Sequence, residues 1–162
     1  MKKSSLLLIS ALVCAVSVIF AVVVLFVTSN AANPNFTPPP FDGNAVTGTP
    51  VLDSDSGYGE ADATAYKVGV CGKIATDNNN AFIYLNNLPE NNVWIKARIF
   101  DTNGEIIGES GLIKQGEYLP YVTLSRVPED NKLTVKVMAY EPDTYHSAGA
   151  VTLDAVIKED QQ

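Results

Sequence analysis

From Leu6 to Val27 the chain runs for 22 residues without a charge, LLLISALVCAVSVIFAVVVLFV. At about 1.5 Å per residue, a helix of that length matches a bilayer core roughly 30 Å thick. Only Met-Lys-Lys-Ser-Ser precedes it, and the positive-inside rule puts Lys2 and Lys3 on the cytoplasmic side. The expected layout is a cytoplasmic start over 1–5 and a transmembrane anchor over 6–28, with the rest of the chain outside the cytoplasm. The membrane is then the first partner, held by the Leu6–Val27 helix. A cleaved signal peptide is the alternative. Ser29-Asn30-Ala31 offers the small residues that signal peptidase reads, and Ala32 would begin a secreted chain. The apolar part of such peptides usually spans about 7–15 residues, shorter than this one, which favours the anchor.

The chain beyond the anchor is acidic. Without Lys2 and Lys3 it holds nine basic residues against 18 acidic ones, a net charge near −9. Nucleic acid and anionic lipid both require clustered Lys and Arg, so neither is an expected partner. Of the two cysteines, Cys14 falls in the apolar run and Cys71 is left without an intramolecular partner. No disulfide framework is expected, and Cys71 reads as a small buried hydrophobe, with an intermolecular disulfide as the alternative. The single histidine, His146, sits in Asp143-Thr144-Tyr145-His146-Ser147 with no distant nucleophile assigned to it. A charge-relay triad or a metal centre needs more than this, so no catalytic residue, metal or cofactor is expected and the chain reads as a non-enzyme. Glu141 and Asp143 flank Pro142 and could serve a hydrolase only inside a cleft that raises one carboxyl pKa. A turn with two solvated acids is the simpler reading.

Residues 29–64 read as a linker. Pro34, Pro38, Pro39, Pro40 and Pro50 fall here, and the Pro38–Pro40 run favours stiff, extended polyproline II. From Ala65 the pattern changes to period-two alternation, with candidate strands at 65–71, 80–86, 92–101, 105–109, 118–125, 132–140 and 148–158. Turn clusters separate them, of which Asn103-Gly104 is the strongest hairpin signal. Seven short strands with no helical period predict an all-β fold, a single antiparallel β-sandwich over 65–158 followed by a tail at 159–162. This layout resembles immunoglobulin-like and fibronectin type III-like domains, without their inter-sheet disulfide. The segments Gly111-Leu112-Ile113-Lys114-Gln115-Gly116-Glu117-Tyr118 and Tyr140-Glu141-Pro142-Asp143-Thr144-Tyr145 are similar to parts of small single-pass surface proteins of Gram-positive bacteria. That resemblance implies a cell-surface location and no defined activity.

Strand parity supplies the candidate site. Val93, Ile95, Ala97 and Ile99 alternate with Trp94, Lys96, Arg98 and Phe100, and Lys and Arg are seldom buried without partners, so the aliphatic set faces the core. By the same rule Leu133, Val135, Val137 and Ala139 point in, as do Val151, Leu153, Ala155 and Ile157. If these strands are neighbours, Trp94, Lys96, Arg98, Lys136, Met138 and Tyr140 share one outer surface. Aromatic and cationic residues together suit a protein interface. The expected function is a membrane-anchored, non-enzymatic interaction or structural module with a cell-surface protein partner. A glycan or cell-wall binding module is the alternative, with Tyr58, Tyr66, Tyr84, Tyr118, Tyr121 and Tyr145 as further stacking candidates. A bulge near Asn92, or linker residues folded over the sheet, would instead cover Trp94.

Overall fold

The computed structural model describes residues 36–158 apart from Asp53. The expected cytoplasmic start, anchor and tail lie outside the described residues. Pro38–Gln162 forms a compact unit of its own. Its described part is all-β and sandwich-like, with twelve strands: β1 (Val46–Thr47), β2 (Tyr58–Asp62), β3 (Lys67–Cys71), β4 (Lys73–Asp77), β5 (Asn80–Phe82), β6 (Leu85–Asn87), β7 (Trp94–Phe100), β8 (Ile106–Glu109), β9 (Glu117–Leu119), β10 (Val122–Thr123), β11 (Lys132–Tyr140) and β12 (Ser147–Ile157). They form a five-stranded sheet, β1-β9-β6-β3-β2, and a seven-stranded sheet, β10-β5-β4-β12-β11-β7-β8. All pairs are antiparallel except β4 with β12, which is parallel.

Three chain segments pass from one sheet to the other through sharp corners. β3 runs into β4 at Gly72, β5 into β6 through Ile83 and Tyr84, and β9 into β10 through Pro120 and Tyr121. The corners are bonded to one another: Cys71 N–H donates to the Ile83 carbonyl at 2.9 Å, and Tyr84 N–H to the Pro120 carbonyl at 3.0 Å. Tyr84 takes a left-handed φ of 45° at its corner. Alternation survives these bends, which is why segments 80–86 and 118–125 read as single strands although each is divided in two. β4 escaped the sequence reading because its exposed positions, Lys73, Ala75 and Asp77, run directly into a turn-forming Asn-Asn pair.

The seven-stranded sheet curls until its edges meet. An isolated bridge joins Gly108 of β8 to Leu124, just past β10, and Ser125 N–H donates to the Ile107 carbonyl at 2.7 Å. Glycine permits this approach, because a Cβ on residue 108 would lie 2.9 Å from Leu124 Cδ2 and 3.1 Å from Val122 Cγ1. Closure also removes two edges that could pair with other chains. Inside lies one aliphatic core including Val68, Ile74, Ile83, Leu85, Ile95, Ile99, Leu119, Val135 and Val137. The inward sets expected for β7 and β11 are all buried, and in β12 Ala155 and Ile157 are buried while Val151 and Leu153 are half-buried. Tyr66 is also core, at 4% exposure, and its hydroxyl donates to the Val137 carbonyl.

The reading of 29–64 as linker is corrected for residues 38–64. β1 and β2 extend the five-stranded sheet at its two edges. Residues 40–42 form a strap along Leu112: Leu112 N–H donates to the Pro40 carbonyl at 2.9 Å and Asp42 N–H to the Leu112 carbonyl at 2.8 Å. The Asp42 carboxylate also accepts from Gly111 N–H at 2.8 Å. The sequence pattern hides these parts because hydrogen bonds from the backbone, rather than alternating side chains, hold them in place.

Candidate interaction face

β7 and β11 pair antiparallel with Arg98 opposite Lys136, Lys96 opposite Met138 and Trp94 opposite Tyr140. The six residues singled out from parity therefore form three consecutive cross-strand pairs on the outer face of the seven-stranded sheet. Paired side chains at this spacing lie within reach of one another, so the set shares one surface. It is graded in exposure: Lys136 is exposed, and the other five are half-buried.

The two ends of the face differ chemically. At the β7 start, Trp94 stands between two rings, an edge-on Phe41 at 4.9 Å and a tilted Tyr145 at 5.4 Å between centroids. Lys114 Nζ lies 4.6 Å from the Phe41 ring centroid, a cation–π contact. Phe41 belongs to the strap and Tyr145 to the β11–β12 turn, so both come from outside the two strands. Trp94 is thus neither core nor bare; the aromatic cluster covers it in part. No bulge was needed for this, because a segment read as linker folds back onto the sheet.

At the other end charges dominate. Glu109 of β8 binds Lys96 Nζ at 2.8 Å and Arg98 Nε at 2.9 Å. The Lys96 ammonium, followed by the Arg98 guanidinium, holds the Glu109 carboxyl below its ordinary pKa against the opposing effect of burial. Two of the three cations on the face are therefore already tied to one acid. Lys136 has no ion-pair partner among the described residues. Glu109 faces outward because β8 carries an irregularity: Ile99 pairs with Gly108 but Phe100 pairs with Ile106, which leaves Ile107 unpaired and buried. Strict alternation cannot signal such a shift, so the acid that neutralises the patch was not foreseen.

The other sequence candidates behave as solvated or structural groups. The 141–146 segment is the β11–β12 turn, closed by Glu141 N–H to the His146 carbonyl at 2.8 Å. Glu141, Asp143 and His146 are exposed there, with His146 Nδ1 3.9 Å from the Glu141 carboxylate. Exposed acids on a turn lack the desolvation that separates an acid from a base. Cys71 is 2% exposed, and burial pushes its thiol pKa up, which disfavours the reactive thiolate. Buried Asn87 donates to the carbonyls of Val93 and Ile113, and Asn91 clamps Lys67 through both its carbonyl and its amide. Together these amides fix the turn before β7 and hold β3 beside it.

No family model, curated protein or solved structure matches the chain.

Proposed function

We propose that the chain is a membrane-anchored extracytoplasmic module that acts by binding at the cell surface, without catalysis of its own. We assign its sandwich to the immunoglobulin-like class. The connectivity supports that assignment. With β3–β4, β5–β6 and β9–β10 each counted as one bent strand, nine strands remain; the seven that follow β2 begin with β3–β4 and end with β12, and β4 and β12 lie side by side in parallel. The observation that carries the binding reading is the cross-strand register of Trp94, Lys96, Arg98, Lys136, Met138 and Tyr140. Half-buried Trp and Tyr are residue types that concentrate binding energy in protein interfaces, and the exposed Lys136, without an ion-pair partner among the described residues, adds charge that steers a partner. The partner is a cell-surface protein with an acidic or aromatic patch.

A photo-crosslinking amino acid at Met138, displayed on intact cells, tests the assignment. One discrete adduct is expected from position 138 and none from Thr47 on β1. Lys136→Glu should reduce the adduct, because a like charge now faces the partner. Trp94→Ala should weaken association by roughly 2 kcal/mol or more. Equal labelling from both positions, or an adduct indifferent to Lys136→Glu, rules out this face.

A further inference from the structure

A second site lies across β12 from the β7–β11 pair on the same sheet, where β4 and β5 meet the loop before β2. A groove of about 360 Å³ opens there. Ala75 and Phe82 are cross-strand partners, and the short alanine side chain leaves a hollow beside the ring. Phe82 and Tyr84 line one side, with ring centroids 6.3 Å apart. Tyr121, outside the lining, lies 5.7 Å from Phe82 with its ring tilted by 58°. Lys73, Lys158 and Asp55 supply charged groups to the lining. Lys158 Nζ is bound to the Asp55 carboxylate at 2.9 Å, and that pairing holds the Asp55 carboxyl below its ordinary pKa. Lys73 is exposed and makes no direct salt bridge among the described residues. Val51, also in the lining, is 98% exposed, an apolar side chain with nothing packed on it.

We propose that this groove binds an acidic saccharide, its ring faces on the Phe82–Tyr84 ledge and its carboxylate on Lys73. The inference stands independently of the β7–β11 face. Two half-buried rings inclined by 34° present adjoining apolar surfaces at a spacing of the order of successive sugar rings. The fixed Asp55–Lys158 pair supplies an acceptor and donors for hydroxyl groups. Lys73 makes no direct salt bridge among the described residues, its charge reaching Asp55 only at longer range, so the anionic group of the ligand is placed beside it. On a domain that is acidic overall, a groove whose described lining sets two lysines against one carboxylate favours a negative ligand locally. A neutral sugar would use the ledge and leave Lys73 unmatched.

The test is calorimetric titration of the full-length chain, in detergent, with uronic-acid trisaccharides of three ring configurations and with their methyl esters. The esters keep the ring faces and lose the charge. At least one acid form should bind about tenfold or more tighter than its ester, the range of one charge-assisted hydrogen bond. Lys73→Gln should erase that difference and leave ester binding unchanged. Phe82→Ala should weaken both forms, while Lys136→Glu on β11, across β12 from β4, should change neither. An absence of binding to every acid trisaccharide at millimolar concentration overturns the proposal. So does a Lys73→Gln variant that still prefers the acid form. A short peptide with a free C-terminal carboxylate that displaces the saccharide and binds more tightly would reassign the groove to peptide ends. Circular dichroism on each variant identifies any loss that comes from unfolding.

Discussion

Asp101 carries more structure than any other single charged residue described here. Its side chain is 4% exposed. One carboxylate oxygen accepts from Glu105 N–H at 2.9 Å and from Asn103 N–H at 3.0 Å, and the other accepts from Arg126. Arg126 also reaches Glu105 at 2.6 Å. The Glu105 amide first, with Arg126 and Asn103 behind it, pulls the Asp101 carboxyl below its ordinary pKa. A depressed folded pKa gives stability that is complete above the unfolded value, about 3.9, and is lost as pH falls below it toward the folded value. Urea midpoints should therefore decline on acidification below about pH 4. Asp101→Asn should be less stable at neutral pH and show a shallower decline on the acid side. If its acid profile superimposes on that of the unaltered protein, the carboxylate is not the group responsible. The Asn103-Gly104 hairpin was legible in the sequence, and Gly104 does take a positive φ of 79°. The role of Asp101 was not legible, because the Arg126 that completes it sits 25 residues away.

At the scale of elements, parity succeeded where strands are long and paired on both sides. β7 and β11 carry strict alternation over seven and nine residues, and every assigned inward position is buried. Parity failed where the backbone does the holding, as in the strap. The strap meets the sheet at Gly111, where a Cβ would lie 2.6 Å from Asp42 N and 2.7 Å from Asp42 Cα. Backbone cannot yield there as a flexible side chain would. Gly111→Ala should push the strap off Leu112, at a cost of about 1–3 kcal/mol. The lifted strap takes Phe41 away from Trp94, the chain's single tryptophan. The fluorescence maximum should then shift to the red in the folded state, and acrylamide should quench it more readily. An unchanged spectrum in a destabilised but folded Gly111→Ala variant would mean that Phe41 does not shield the indole. The same reasoning explains why the candidate face was only partly readable. The strands supplied its six residues, whereas its aromatic cover and the neutralising Glu109 come from the strap, a turn and the irregular β8.

For the whole molecule, the question is where the folding unit begins. Alternation places the start of the domain at Ala65, but the contacts place it near Pro38. β2 pairs with β3 along its whole length, from Tyr58 opposite Cys71 to Asp62 opposite Lys67. The Tyr58 ring lies against Gly69 and its hydroxyl accepts from the Asn86 amide at 3.2 Å. Removing residues 38–64 would leave β3 as a bare edge, expose the face that Tyr58 covers, and free the strap's grip on Leu112. An unpaired edge of this kind is also a template for aggregation. A fragment spanning 38–162 should unfold in a single cooperative transition by urea, whether followed by circular dichroism or by Trp94 fluorescence. A fragment spanning 65–162 should keep its aliphatic core sequence yet lose several kcal/mol, since two edge strands, β1 and β2, and a packed strap go with the deletion. It should populate oligomers at concentrations where the longer fragment stays monomeric. Equal urea midpoints for the two fragments would show that β2 and the strap merely decorate a domain already complete at Ala65. The Val135→Asp variant supplies the calibration. Val135 is fully buried between β7 and β12, and an unpaired carboxylate there should abolish folding of the 38–162 fragment outright. The loss on truncation is then measured against a known ceiling, and a 65–162 fragment that behaves like Val135→Asp places residues 38–64 among the parts without which the sandwich does not form.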